Sequence, residues 1–479
     1  MGRGKAPSGI GRASFILITV GAVIGAGDIL RFPYLLCRHG GAYLVPYLFF
    51  LLCGGLWLLG LEFSLGSEFG RPLPGALRAL GLRGGGFWGW AVALNALVVA
   101  AYYCAVVGLF SALPLASMGE ISGLGELLRS PLPFLATLSL WGVCFLVCLP
   151  DGARGLKGLS LVTLPLSVLL LLYLFSRGLL LRDGWQGLSA LSPDWATLLR
   201  PETWLEAGRH AVLSLVLGYG VMVALSSRLP KGEELMGSAV VVALSEGAVG
   251  LLAAHALLPF FAAGGVPPES SPLRGALLSF PEAVREAGGG ALPLVALTVV
   301  LLFSGLTTLA ALVEAISFTL ADELGWRRGK AVGVICGLGP FLSVPFLLPE
   351  EARLLWFEGV AESMGVWNID VVDHFCALFA GLFLILEARA VAHRLGRGRL
   401  ARLLRSREIP LPWGLSRVMA LVFAPLAAVV ALLGLFRVDL LWLFRGTIYN
   451  GGVVQGGLWL ALILVGAKAL SRLGEGRGR

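Results

Sequence analysis

The chain has 479 residues, of which 57% are hydrophobic and only 14% carry a charge, and its mean hydropathy is +0.85. Soluble domains carry a charge on about 25% of their residues, so this composition excludes an ordinary soluble protein and indicates a polytopic membrane protein. The formal net charge of +8 would suit a polyanion, but the basic residues are distributed over loops between apolar segments. No nucleic-acid partner is therefore expected, and the lipid bilayer is the expected environment.

Hydropathy along the chain predicts about twelve membrane-spanning segments, each long enough to cross the hydrocarbon core of a bilayer. The segments run 13–36, 42–66, 87–113, 133–149, 157–181, 205–227, 235–262, 291–321, 331–348, 371–392, 414–436 and 450–471. Arginine and lysine collect in alternate loops, most densely at 394–413, whereas the opposite loops are acidic or mixed. The positive-inside rule therefore predicts a multi-pass protein of the cell inner (plasma) membrane with both termini in the cytoplasm. The arginine-rich loop would also suit anionic lipid, although the topology accounts for it without a ligand.

The first apolar segment contains residues that a lipid-facing helix disfavours. Gly21, Gly25 and Gly27 are followed by Asp28 and Arg31. Glycine in a helix interior costs about 1 kcal/mol relative to alanine, and a charge at bilayer depth adds roughly 2.5–3.5 kcal/mol. We therefore predict a helix that is broken near its middle, so that the freed backbone groups line a site enclosed by protein.

The sixth apolar segment carries a second interruption, because the run 213–220 places Gly218 and Gly220 close to Ser214 and Tyr219. These glycines would alternatively only permit close helix packing. Paired interruptions in corresponding segments predict two five-helix halves with a binding site near the bilayer midplane. The predicted divisions are a cytoplasmic segment 1–12, a first half 13–182, an external loop 183–204, a second half 205–393, an arginine-rich cytoplasmic loop 394–413, helices 11 and 12 at 414–471 and a cytoplasmic tail 472–479.

Four motifs occur in a fixed order along the first 393 residues. They are Gly-x-x-x-Gly-x-Gly-x-x-x-Arg-Phe-Pro at 21–33, Gly-Gly-Ala-Tyr-x-x-Pro-Tyr at 40–47, Phe-Ser-Gly-Leu-Thr-Thr at 303–308 and Asp-Val-Val-Asp at 370–373. In these motifs the chain resembles the neurotransmitter:sodium symporter family. The resemblance implies an all-α membrane protein with a 5+5 inverted-repeat, LeuT-like fold, broken helices 1 and 6 and two appended C-terminal helices.

The resemblance also implies sodium-coupled symport of an amino acid or amine by alternating access, in a monomer or homodimer. No nucleotide-binding loop, nucleophile–base set or metal-ligand cluster is evident in the sequence, so an enzyme is not expected. Two other functions remain open. A proton-coupled transporter of the same fold is suggested by Asp28 and His210, and a non-transporting receptor or scaffold by an altered internal gate.

Two sodium sites follow from the resemblance. The second site would use the carbonyls of Gly21, Ile24 and Ser304 and the hydroxyls of Thr307 and Thr308. The threonine hydroxyls would alternatively bond carbonyls four residues back in their own helix. The first site departs from the family pattern, since two amides are replaced by a carboxylate and a hydroxyl. Its matching positions are Val23, Asp28, Ser214 and Ser245.

Asp28 is the main departure at the first site. Val249 occupies the position where the family carries a chloride-binding serine or a compensating glutamate. Because Asp28 itself supplies a negative charge, we expect transport that is independent of chloride. In a second interpretation Asp28 is protonated when empty and exchanges its proton for sodium, since burial raises and a cation lowers a carboxyl pKa. In a third, Asp28 pairs with Arg31 one turn away and binds no ion.

The substrate pocket also follows from the resemblance. Tyr103 and the amides around Gly27 would bind a substrate carboxylate, and the carbonyls of Val23, Leu213 and Ser214 would bind its ammonium group. The side-chain cavity would be formed by Val99, Leu213, Val216, Tyr219, Thr308 and Leu312, with Ala26 small beside them. This apolar lining favours apolar or aromatic amino acids. Biogenic amines are the alternative, because Asp28 can partner a cation that has no carboxylate.

Gate residues complete the predicted site. Arg31 and Asp373 match the external pair of the family, with His210 beside them either as a packing residue or as a group that tunes the gate or carries a proton. Asp322 matches the internal carboxylate, whose N-terminal partner would have to be Arg3, Lys5 or Arg12. Glu314 and Arg228 replace a neutral pair, and their opposite charges predict either a new salt bridge or a coincidence.

Overall fold

The computed structural model describes residues 10–118, 124–268, 275–349, 364–406, 408, 412–443 and 448–477, and the regular elements in these ranges are all helical. The α-helices are α1 (Arg12–Val23), α2 (Ala26–His39), α3 (Leu44–Phe50), α4 (Leu56–Phe69), α5 (Leu73–Ala79), α6 (Gly85–Met118), α7 (Leu124–Arg129), α8 (Leu132–Cys148), α9 (Gly152–Leu179), α10 (Pro201–Leu213), α11 (Val221–Ser226), α12 (Leu235–Gly264), α13 (Phe280–Glu286), α14 (Leu292–Leu324), α15 (Arg328–Ser343), α16 (Met364–Arg394), α17 (Arg397–Leu404), α18 (Trp413–Val418), α19 (Ala424–Leu443) and α20 (Ile448–Arg477). Short 3₁₀ or π-helical turns lie at Gly41–Tyr43, Leu51–Gly55, Gly184–Leu191, Trp195–Leu199, Gly275–Ser279, Val344–Phe346 and Met419–Phe423.

Nine helical stretches in the described residues are long and apolar enough to cross a membrane, and a tenth results if α1 and α2 count as one bent span. Two further predicted spans do not meet that length. The segment 133–149 is a helix of 17 residues, α8. The segment 205–227 is divided between α10 and α11, because the chain leaves helical geometry between them. The fold is therefore that of a multi-pass helical membrane protein.

The first span bends by 60° between α1 and α2. Ile24 ends α1 with a ψ of 86°, and Gly25 is extended, with a φ of −93° and a ψ of 158°. A Cβ atom built on Gly25 would lie 3.3 Å from the Tyr103 hydroxyl, so a larger residue would crowd this position. Because a helix end leaves its last carbonyls and the next helix's first amides without helical partners, the bend exposes backbone donors and acceptors together.

In the predicted sixth span, the chain leaves helical geometry at residues 214–220. Val216 has a φ of +53° and Gly218 a φ of +79°, and the first value is rare for a β-branched residue. The Gly218 amide donates a hydrogen bond to buried Glu62 at 2.7 Å. A Cβ atom at position 218 would lie 2.7 Å from the Ala380 carbonyl oxygen, so only glycine fits both the backbone angle and the space.

The central helix of the fold is α14, which packs against α1, α6 and α9. Of its most apolar window 72% is buried, compared with 28% for α9 and 22% for α20. The peripheral helices expose large apolar side chains to the outside, among them Leu169 on α9 and Val465 on α20. Such an apolar exterior suits lipid rather than water. The arrangement places the polar residues of α14 and the breaks of both interrupted spans in the interior.

Candidate substrate and ion site

The bend between α1 and α2 faces Tyr103 on α6. The Ala26 amide donates a hydrogen bond to the Tyr103 hydroxyl at 3.0 Å, which leaves the tyrosine hydrogen available to an acceptor. A Cβ atom built on Gly27 would meet no atom within 4 Å, so Gly27 borders open space. The first turn of α2 therefore presents free amides and the positive end of its dipole to that space. Such a helix start is suited to a carboxylate.

Several of the predicted pocket residues belong to the two helix breaks. Ser214, Val216 and Tyr219 belong to the interrupted segment between α10 and α11. The buried members of the predicted set are Val23, Ala26, Val99, Ser214, Thr308 and Leu312, and the half-buried members are Gly27, Tyr103, Leu213, Val216 and Tyr219. Partial exposure of the second group is compatible with a cavity lining.

The hydroxyls predicted for the second sodium site lie against the end of α1. The Thr308 hydroxyl donates to the Ala22 carbonyl at 3.0 Å and to the Ser304 carbonyl at 3.2 Å. The Thr307 hydroxyl donates to the carbonyls of Phe303 at 3.2 Å and Ser304 at 2.9 Å. The alternative bonds within the threonines' own helix are therefore present. They do not exclude cation binding, because a donating hydroxyl keeps its oxygen lone pairs.

Gly21 lies beside these threonines and beside a residue that sequence reasoning missed. A Cβ atom on Gly21 would lie 3.6 Å from the Thr307 Cβ and 2.5 Å from the Ser160 hydroxyl oxygen. Ser160 is buried on α9, so a third helix brings an oxygen atom to this region. Its position could not be read from the sequence, because Ser160 lies in an apolar run with no distinguishing motif.

A cluster of three ionisable side chains lies at the start of α2. Ligand atoms of Asp28, His210 and Glu246 all lie within 4.8 Å of one another, and they come from α2, α10 and α12. The His210 Nε2 atom is 3.7 Å from Asp28 Oδ1. The His210 Nδ1 atom is 3.1 Å from the Tyr43 hydroxyl, and the Tyr47 hydroxyl donates to Glu246 Oε2 at 2.7 Å. Asp28 thus has His210 as its neighbour, and no ion pair joins it to Arg31 among the described residues.

Glu246 is the functional candidate that sequence reasoning missed, because it focused on the adjacent Ser245. Neighbouring residues on a helix point about 100° apart, so only one of the two can face the cluster squarely. Ser245 is half-buried and has no side-chain hydrogen bond among the described residues, whereas Glu246 is 2% exposed. Val249, the position expected to hold any compensating acid, is also half-buried. The buried acid thus lies three residues before the expected position.

The outer pair of gate residues is not joined in this structure. Asp373 accepts a hydrogen bond from the Tyr102 hydroxyl at 2.6 Å, and no ion pair connects it to Arg31 within the part of the chain that the structure describes. Both gate side chains are half-buried. The outer end of the site is therefore not closed by this pair.

The carboxylate predicted for the inner gate, Asp322, is paired in this structure. Asp322 pairs with Arg71 at 2.8 Å, and Arg12, one of its three predicted partners, pairs elsewhere. Arg12 instead contacts Glu408 at 2.7 Å and Ser238 at 3.1 Å, because the start of α1 lies beside the arginine-rich loop and α12. Hydrogen bonding to Arg12 lowers the pKa of Glu408 from its usual value. The other predicted partners, Arg3 and Lys5, lie outside the described residues.

Glu314 forms the expected salt bridge with Arg228, and both side chains are 2% exposed. A second arginine, Arg328 at the start of α15, also binds Glu314, with Nη1 3.1 Å from Oε1. Arg328 further donates to the Cys148 carbonyl at the end of α8 at 3.0 Å. Arg228 also approaches Asp151 at 3.7 Å. One buried carboxylate thus ties together the inner ends of several helices, which we call the inner network.

Comparisons with known proteins agree with this architecture. A model of the sodium:neurotransmitter symporter family matches residues 9–120 and 113–440. The chain is 27% identical over 391 residues to an uncharacterized sodium-dependent transporter of Methanocaldococcus jannaschii, with 76% of each chain covered. It is 27% identical over 439 residues to the sodium-dependent serotonin transporter of Drosophila melanogaster, covering 73% of this chain and 69% of the relative.

A mouse relative and a solved structure complete the comparison. The sodium-dependent neutral amino acid transporter B(0)AT1 of Mus musculus is 25% identical over 294 residues, covering 52% of this chain and 46% of the relative. The crystal structure of MhsT in complex with L-phenylalanine has a TM-score of 0.72 at 23% identity, covering 91% of this chain and all 100% of that chain. The chain therefore belongs to the sodium:neurotransmitter symporter family, whose members are sodium-dependent membrane transporters and not enzymes.

Proposed function

We propose that this protein is a sodium-coupled symporter of apolar or aromatic amino acids that works by alternating access. The observation that carries the proposal is the meeting of the α1–α2 break with Tyr103 and Thr308 beside the open space at Gly27. Free amides there are suited to a substrate carboxylate, and freed carbonyls are suited to cations. The lining from Val99, Val216 and Leu312 favours an apolar side chain on the substrate.

The donor atoms at the two proposed ion positions fit sodium. At the second position they are the oxygens of Gly21, Ile24, Ser304, Thr307 and Thr308. At the first they are the Val23 carbonyl, Asp28 and Ser214, whose hydroxyl oxygen is buried without a hydrogen-bond partner among the described residues. Oxygen ligands of this kind suit hard cations. The proposal places one sodium ion at each position, with Ser245 the least supported of the four predicted first-site ligands.

The proposed architecture goes further than the helices described above. It has twelve spans in total, with the halves 13–182 and 205–393 related by inverted repetition, broken helices 1 and 6, and helices 11 and 12 appended. The protein is proposed to lie in the cell inner membrane with both termini in the cytoplasm. It is proposed to be a monomer or a homodimer. The basic loops, including the exposed arginines of α17, support this orientation.

The transport cycle is proposed from the state of the two ends. Arg31 and Asp373 form no ion pair among the described residues. At the inner end, Asp322 is paired with Arg71 and Glu314 is paired with Arg228. This combination corresponds to a site that is open or nearly open to the outside. Substrate binding would let the outer pair close, and release to the cytoplasm would require the inner ion pairs to break. Sodium and substrate are coupled in this scheme because the outer pair closes only when the site is filled.

Sodium-dependent binding is the first expected result. We expect radiolabelled leucine or tryptophan to bind the purified protein in sodium chloride and to lose binding when potassium replaces sodium at several pH values. Removing the Tyr103 hydroxyl with Tyr103→Phe should weaken amino-acid binding roughly 10- to 100-fold, the range of a hydrogen bond to a charged group. Tyr173→Phe on α9 is the matched control. Binding that ignores sodium at every pH would contradict the proposal.

An amine transporter is the second candidate, because Asp28 at the start of α2 can pair with a substrate cation that brings no carboxylate. The same binding assay separates the candidates, since tyramine lacks the group that Tyr103 is proposed to bind. Binding of labelled tyramine that survives Tyr103→Phe, with leucine and tryptophan failing to compete for it, would favour amines. Dependence on pH in place of sodium would favour the proton-coupled alternative.

Transport is also expected to be independent of chloride. Asp28 and Glu246 together supply the negative charge that a chloride ion would otherwise contribute beside the first sodium. We expect equal initial rates of sodium-driven uptake into proteoliposomes when gluconate replaces chloride on both sides. Equal leak rates in protein-free vesicles are the control. Uptake that requires chloride would show that the two carboxylates do not take its place.

A further inference from the structure

We propose that Asp28, His210 and Glu246 form a binding site for a divalent transition-metal ion, with zinc the best fit. The three side chains come from α2, α10 and α12 and lie within 4.8 Å of one another. This ligand is different in class from the sodium and substrate proposed above. The site shares Asp28 with the first sodium position, but direct metal binding does not depend on transport.

The ligand types favour a transition metal over sodium for this trio. Imidazole nitrogen is a good ligand for zinc, copper, nickel and iron, whereas sodium and magnesium prefer oxygen. His210 is 1% exposed, and its Nε2 atom has no hydrogen-bond partner among the described residues. The 3.7 Å separation from Asp28 is too long for a hydrogen bond. The Nε2 atom is therefore buried without a partner and, in its unprotonated form, can bind an ion.

The separations are close to those of a coordinated ion. Bonds of about 2.1 Å in a tetrahedral zinc site place neighbouring ligand atoms roughly 3.4 Å apart. The His210–Asp28 separation of 3.7 Å is near this value, and because all three ligand atoms lie within 4.8 Å of one another, side-chain rotations would complete the geometry. Glu246 Oε1 and the Ser214 hydroxyl oxygen are also buried without partners in the described part of the chain. Ser214 or a water molecule would fill the fourth position.

The surrounding tyrosines orient the ligands as metal sites require. Metal-bound histidines nearly always donate their other ring nitrogen hydrogen to an acceptor, and metal-bound carboxylates are themselves hydrogen-bonded. Here Tyr43 lies 3.1 Å from His210 Nδ1, and Tyr47 donates to Glu246 Oε2 at 2.7 Å. Donation from Nδ1 to the Tyr43 oxygen leaves Nε2 unprotonated and directed at the ion. The pocket thus has both ligands and their supporting partners.

The test is direct metal binding to the full chain purified in detergent, without sodium or substrate. We expect one zinc ion per chain by isothermal titration calorimetry, and visible absorption typical of tetrahedral Co²⁺ when cobalt replaces zinc. His210→Gln and Glu246→Gln should each remove the cobalt spectrum. Tyr43→Phe should weaken zinc binding about 10- to 100-fold, as loss of a supporting partner does. His255→Gln on α12 should change nothing, because its ring bonds the Leu251 carbonyl at 2.8 Å and makes an edge-to-face contact with Phe175.

Three outcomes would overturn the proposal. One is no zinc binding to the wild-type chain, and another is unchanged zinc affinity in well-folded His210→Gln. The third is binding that persists in His210→Gln and disappears in His39→Gln, which would assign zinc to the outer His39–Glu206 pair. If His210→Gln fails to give a monodisperse protein, Tyr43→Phe and Tyr47→Phe carry the same test. Since zinc binding is measured without sodium, its failure leaves the transport proposal standing.

Discussion

Replacing Glu314 with glutamine is expected to open the inner end of the protein. The substitution keeps the shape of the side chain but leaves buried Arg228 without its carboxylate and removes one partner of Arg328. Removing one member of a buried ion pair typically costs about 3–5 kcal/mol, because the other charge stays buried and unpaired. Most of this free-energy cost should fall on the conformation in which the inner end is closed, since the inner network joins α8, α11, α14 and α15.

Two measurements report on the expected opening. The first is the thermal unfolding temperature in detergent, which should fall. The second is the maleimide labelling rate of Cys148, followed by peptide mass spectrometry, because Cys148 is fully buried beside the inner network. The matched control is Glu68→Gln, since the Glu68–Arg399 pair is 3.7 Å long and half-exposed and a surface pair contributes about 0–1 kcal/mol. Unchanged Cys148 labelling in Glu314→Gln would show that this network does not hold the inner end closed.

Charge reversal tests the same network more strictly. If Arg228 and Glu314 formed an isolated pair, combining Arg228→Glu with Glu314→Arg would restore the transport rate that either single reversal loses. The structure predicts only partial rescue, because the new arginine at 314 would face Arg328. Adding Arg328→Glu should restore more of the transport rate. Full rescue by the double variant alone would mean that Arg328 is not a partner in the working protein.

The positions of the helix breaks were readable from sequence because unusual residues mark them. At Gly25 and at Gly218 a side chain would meet a neighbouring atom. Glycines beside charged or hydroxyl residues are unusual in an apolar span, so their presence indicates a break in the helix. The opposite charges of Arg228 and Glu314 were informative for a similar reason. An ionisable residue inside a membrane helix is unfavourable alone, so a partner of opposite charge is expected.

Other site residues were not readable because their positions depend on how helices pack. Glu246 and Ser245 are adjacent in sequence, and only the rotation of α12 decides which one faces Asp28. Arg71 and Arg328 lie in basic loops of the sequence, and the positive-inside rule explains why such loops are basic but not which carboxylate each arginine contacts. Arg71 was therefore not among the partners predicted for Asp322. A single sequence contains the chemistry of each helix but not the relative rotation of two helices.

Replacing Asp28 with asparagine is expected to weaken sodium binding strongly without removing it. Unit charges 4 Å apart attract by about 4 kcal/mol at an effective dielectric constant of 20, and asparagine keeps only the carbonyl dipole of this interaction. We therefore expect the sodium concentration for half-maximal substrate binding to rise roughly 10- to 100-fold. The measurement is labelled-substrate binding over a sodium series, with choline chloride holding the ionic strength constant.

The matched control for this change is Asp183→Asn, since Asp183 is an exposed acid outside the helices of the site and its neutralisation alters net charge equally. Glu246 decides how the result is interpreted, because it leaves a second carboxylate beside the same position. If Asp28 is the direct ligand, Asp28→Asn should weaken sodium more than Glu246→Gln does. If Glu246→Gln has the larger effect, the buried glutamate holds the ion and Asp28 serves the substrate, which would favour a cationic amine. Full sodium affinity in both variants would exclude either carboxylate as an ion ligand and leave only the second sodium position.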